Sequence, residues 1–101
     1  MPDVAEIRKA VEQMLGSRAT LVQSVAVRED TDGKLAWQGL VRVFELAGGA
    51  RPARVYAGTM TTESSGQRRI FAIRHTSKVN SPRAAVRAAI VTEQRRRRPV
   101  L

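Results

Sequence analysis

The stretch Leu35 to Leu46, Leu-Ala-Trp-Gln-Gly-Leu-Val-Arg-Val-Phe-Glu-Leu, constrains the fold more than any other part of the chain. It holds the only Trp, one of two Phe, and β-branched Val41 and Val43 two residues apart, which is strand composition. In a strand, alternate residues point to opposite faces. One set here is Leu35, Trp37, Gly39, Val41 and Val43, and the other is Ala36, Gln38, Leu40, Arg42, Phe44 and Leu46. Both sets are substantially apolar, so the stretch reads as an inner strand that packs on two sides.

The segments around it read clearly. Asp3 with Glu6 three residues on is a capping-box spacing, and Val4, Ile7, Val11, Met14 and Leu15 form one helical stripe that Gly16 ends. Thr20 to Arg28 is rich in β-branched residues and gives a first strand. Glu29-Asp30-Thr31-Asp32-Gly33-Lys34 contains Asp-x-Asp-Gly, but Arg28 and Gly39 stand where a calcium loop needs oxygen ligands. Asp-Gly is instead a hairpin turn that returns Leu35–Leu46 antiparallel to the first strand.

Ala47 to Pro52 is the next turn, and without Gly-Lys-Ser/Thr or a following helix it is no phosphate loop. Ala53 to Thr62 and Arg68 to His75 give the third and fourth strands. Ser81 as N-cap and Pro82 at the first helical position open a last helix, running from Arg83 to about Arg95 with Ala85, Val86, Ala89 and Ile90 on its buried side.

The short turns predict an α+β fold of order α-β-β-β-β-α, a four-stranded antiparallel meander with N- and C-terminal helices. With both helices on one face the architecture is a two-layer sandwich whose other face has no cover from this chain. Leu40, Arg42, Phe44, Leu46 and Tyr56 are the residues expected on that open face, and a patch of that kind predicts a partner or a homodimer. At 101 residues the chain predicts a single domain over 1–95 with a basic, flexible tail over 96–101.

Charge is distributed unevenly. Residues 1–50 carry six Lys/Arg against seven Asp/Glu, whereas residues 51–101 carry twelve against two, so the whole excess of +9 lies in the second half. Arg68, Arg69, Arg74, Arg83, Arg87, Arg95, Arg96, Arg97 and Arg98 fall in one strand-loop-helix unit and are the candidate anion-binding residues, with nucleic acid or another polyanion as partner. The four aromatic residues are too few for a single-strand stacking platform.

No catalytic constellation stands out. His75 is the only histidine and reads as structural or solvent-facing. The absence of Cys excludes disulfides, thiol nucleophiles and thiolate metal sites, and no spacing suggests a metal or cofactor. Neither a signal peptide nor a membrane-length apolar run is present, which makes a cytoplasmic, non-enzymatic binding module the expectation.

Two resemblances accompany this reading. Ser81-Pro82-Arg83-Ala84-Ala85-Val86-Arg87-Ala88-Ala89 after a run of strands resembles the last helix of double-stranded RNA-binding domains, which implies shape-based contacts to phosphate and ribose. The family's Gly-Pro-x-His loop and paired lysines have no counterpart here, and no binding residue is carried over. Trp37 to about Glu93, with Trp37-x-Gly39-x-Val41-x-Val43-Phe44-Glu45-Leu46 and Phe71-Ala72-Ile73, resembles a set of short bacterial proteins of unknown function. That second resemblance implies a bacterial origin and no activity.

Overall fold

A computed structural model describes residues 3–48, 53–61 and 66–97. The element order is α1 (Val4–Leu15), β1 (Ala19–Thr31), β2 (Lys34–Leu46), β3 (Ala53–Thr61), β4 (Arg68–Arg74) and α2 (Pro82–Arg97). The four strands form one antiparallel sheet in the order β1-β2-β3-β4, the expected meander.

Local chemistry sets the ends of these elements. Asp3 accepts a 2.9 Å bond from the Glu6 amide at the start of α1, and Gly16 closes the helix in the left-handed region with its N–H on the Glu12 carbonyl. Glu12 also accepts from the Ala19 amide at 2.8 Å, tying the helix to the first residue of β1. Between β1 and β2, Asp32 and Gly33 both take positive φ, 53° and 75°, the two-residue turn whose twist matches a hairpin. At α2 the Ser81 hydroxyl accepts from the Ala84 amide at 3.1 Å, leaving Pro82 where no N–H is needed.

The layer arrangement differs from the two-layer expectation. Phe44, Leu46, Val55 and Ala57 pack with Ile7 and Val11 of α1, whereas Val41, Val43, Tyr56 and Met60 pack with Ala85, Val86 and Ala89 of α2. Val55 and Tyr56 are neighbours on β3, and adjacent strand residues point to opposite faces. Each helix therefore covers its own side of the sheet. Two apolar faces on β2 require two covers, and α1 and α2 supply one each.

The sheet is not uniformly paired. β1 and β2 stay together from Ala19↔Leu46 to Thr31↔Lys34, but β2 pairs with β3 only from Leu46↔Ala53 to Arg42↔Ala57. Beyond that point the strands part around a cleft lined by Leu35, Trp37, Thr59, Thr61 and Arg68, which the Trp37 side chain spans, its Nε1 donating to the Thr59 carbonyl at 2.8 Å. Its ring meets Phe71 of β4 edge-on, with centroids 6.1 Å apart and planes at 72°. Gly39 and Gly58 lie against this pair because a Cβ at either would press on an aromatic ring.

Candidate functional site

The arginines expected to bind anions separate into two groups. Arg83 and Arg87, one helical turn apart on α2, both turn to Glu29 of β1, with Nε–O distances of 3.9 and 2.8 Å. The Glu29 side chain is only 13% exposed, so its charge is largely committed to these two. Arg69 approaches Glu93 of α2 at 3.6 Å. Because α2 reaches Glu29 on β1 through its first turns and Arg69 on β4 through its last, it crosses the sheet from one edge to the other.

Arg68, Arg74, Arg95 and Arg96 are exposed, and no carboxylate among the described residues pairs with them. Arg68 and Arg74 stand at the two ends of β4, an edge strand, on the face that α1 occupies. Arg96 lines a groove along the same edge, together with Arg69, Met14 and the β4 residues Ile70 to Ile73. The helix continues through Arg97, and Arg98 lies outside the described residues. The described arginines of this set therefore differ in their partners. Among the described ones, Arg83 and Arg87 pair with Glu29 at the β1 edge, Arg69 approaches Glu93, and Arg68, Arg74, Arg95 and Arg96 lie at β4 and the end of α2.

The residues expected on an open sheet face are also divided. Phe44 and Leu46 are buried beneath α1, and Tyr56 is buried on the opposite side beneath α2. Leu40 (47% exposed) and Arg42 remain on the part of the α1 face that the helix does not reach, where Arg42 donates to the Ser24 hydroxyl at 2.7 Å. Opposite pairs Ala26↔Leu40 and Arg28↔Gln38 complete this area, which is mixed in character and not a continuous apolar patch.

His75 is exposed, and its Nδ1 lies 2.7 Å from the Tyr56 hydroxyl. This contact satisfies the polar end of a side chain that is otherwise buried. Among the described residues no group of three or more His, Asp or Glu could hold a metal, and no helix is long and apolar enough to cross a membrane.

Met14 departs from the packing that its place in the helical stripe predicts. It belongs to the apolar stripe of α1, yet it is 55% exposed because it overhangs β4 instead of facing the sheet. Ile70, Phe71, Ala72 and Ile73 are each only half-buried, since β4 has a neighbouring strand on one side alone. Together they make an apolar trough of about 340 Å³ at a basic edge. The sequence signal for it was the run Ile70-Phe71-Ala72-Ile73 bracketed by arginines. Compared with protein families, characterised proteins and solved structures, the chain matches none.

Proposed function

We propose that this protein is a small non-enzymatic binding module that engages an anionic partner, nucleic acid among the candidates, along the β4 edge and the end of α2. The observation that carries the reading is the division of its arginines. Arg83 and Arg87 have a carboxylate within the fold, whereas Arg68, Arg74, Arg95 and Arg96 have none among the described residues. Free guanidinium groups gathered on one side attract polyanions, and phosphate contacts of this kind weaken steeply with salt.

Heparin retention and a gel shift with DNA or RNA, both at low salt, test the reading. Retention is expected to fall with salt, and to fall further when Arg95 to Arg98 are deleted or when Arg68 and Arg74 are replaced by Ala. For a duplex DNA ligand, each phosphate contact removed lowers the salt slope by about 0.9. Retention that is absent at low salt, or unchanged in both variants, overturns it.

A homodimeric interaction domain is the second reading. Its support is Leu21 and Leu40, exposed on the part of the α1 face that the helix leaves bare. Light scattering separates the two, because Leu40→Lys dissociates a dimer built on that area and leaves heparin retention intact.

A further inference from the structure

We infer that the β4 edge accepts an added β-strand, and that its occupant is an extended polypeptide segment with an apolar centre and acidic residues at its ends. The inference rests on the basic-surface reading above and names the chemistry of the partner.

The backbone direction comes first. The His75 amide bonds to the Arg54 carbonyl of β3 at 2.8 Å, which continues the register beyond Val55↔Arg74. In an antiparallel ladder successive residues turn their N–H and C=O alternately towards and away from the neighbour. His75, Ile73 and Phe71 therefore face β3, while Ala72 and Ile70 direct their backbone groups outward. Among the described residues no strand lies on that side.

The two edges of the sheet are not equivalent. β1 carries register shifts at Leu21/Gln23 and at Glu29/Asp30, irregularities that hinder pairing with a further strand. β4 pairs along all seven residues without a shift and presents four consecutive apolar side chains. A regular apolar edge is the kind to which extended peptides add, through main-chain bonds for affinity and side-chain pockets for selectivity. Met14 overhangs it on the α1 side and Arg96 on the α2 side, so an incoming strand meets contacts above and below the backbone.

Charge identifies the occupant. If a second copy paired antiparallel in the central register, Arg68 would face the copy's Arg74 at both ends. Shifting by two residues in either direction leaves the same arginines diagonal to each other. Like charges opposed across strands are destabilising, so the arginines that bracket the strand turn away another copy. They favour a strand with Asp or Glu at corresponding positions, reinforced by Arg69 on the other face.

A synthetic peptide of the same length as β4, with a Val/Ile/Thr centre and Asp or Glu at both ends, is the probe for the full chain by fluorescence anisotropy. Replacing its acidic ends by Lys is expected to weaken binding about three- to tenfold. The double substitution Arg68→Glu/Arg74→Glu is expected to reverse that preference. N-methylation of alternate peptide amides, or Ala72→Pro, which removes an outward N–H and leaves the β3 ladder intact, is expected to weaken binding at least about tenfold. The methylated peptide needs no altered protein, so misfolding of Ala72→Pro does not blunt the test.

Undiminished binding of the methylated peptide overturns strand addition while the basic-surface reading stands. So does heparin retention without peptide binding. Loss of both heparin and peptide binding overturns both. A dimer that Ala72→Pro dissociates names a second copy as occupant and overturns the inference.

Discussion

Replacing Gly58 by Ala tests the packing that joins the candidate edge to the interior. A Cβ at this position would lie 2.8 Å from Cζ and 2.9 Å from Cε2 of Phe71, and 3.4 Å from the Trp37 ring. Carbon atoms pack best at roughly 3.5–4.0 Å, so the Phe71 ring must retreat by about an ångström. Overpacking of this kind costs about 1–3 kcal/mol, and part of the edge-on contact with Trp37 is lost with it. A reduction of about 0.4–1 kcal/mol in the freedom of the unfolded chain opposes this. The net expectation is a destabilisation of about 1–2 kcal/mol, each kcal/mol corresponding to about 4–8 °C in melting temperature for a domain of this size. Trp37 is buried, so its fluorescence reports unfolding in urea, with circular dichroism as the second probe. In a Phe71→Leu background the clash is absent and Gly58→Ala becomes neutral or mildly stabilising, a coupling of about 1–3 kcal/mol. Gly58→Ala as stable as the parent, or equally costly in both backgrounds, refutes the account of the aromatic pair. Because the displaced ring moves at the groove, Gly58→Ala is also expected to weaken binding of the acid-ended peptide.

Phe44→Ala, at a fully buried position beneath α1, is expected to cost about 3–5 kcal/mol in chemical denaturation, whereas Leu40→Ala on the same strand face stays within about 0.5 kcal/mol. Glu29→Gln removes the carboxylate shared by Arg83 and Arg87; a loss of about 1 kcal/mol, together with later elution from heparin as two arginines are released, checks its role. Ser81→Ala deletes the α2 cap and lowers stability by about 1 kcal/mol in the same assay, while Ser81→Asp retains it.

The sequence made the elements legible where the chemistry is local. Asp3 with Glu6, Asp32-Gly33 and Ser81-Pro82 each act within a few residues, and each marks an element end in the fold. The placement of the helices is a different kind of fact. The alternation in Leu35–Leu46 says that both faces of β2 want cover, but nothing in one strand says which helix goes to which face. The apolar pairs Val55-Tyr56 and Ile70-Phe71 repeat the demand on β3 and β4, and that repetition points to a helix on each side. The arginines show the same limit. Their excess is visible in the sequence, but Glu29 and Arg87 are 58 residues apart, so only the folded chain reveals which charges are already answered.

That division sharpens what the charge excess means. A net positive domain works against its own compact state through repulsion, and an internal carboxylate relieves this only for the arginines that reach it. Glu29 does so at the β1 edge, and Glu93 does so in part for Arg69. For Arg68, Arg74, Arg95 and Arg96 no such relief exists among the described residues, although the helix C-terminus itself favours cations. An anion that binds only the folded chain supplies what the fold lacks, and raises stability in proportion to the logarithm of its concentration over its dissociation constant. The melting temperature is therefore expected to rise with added acid-ended peptide. Arg68→Glu/Arg74→Glu removes that rise, whereas Arg83→Gln/Arg87→Gln, at the edge where the charges are already paired, leaves it in place.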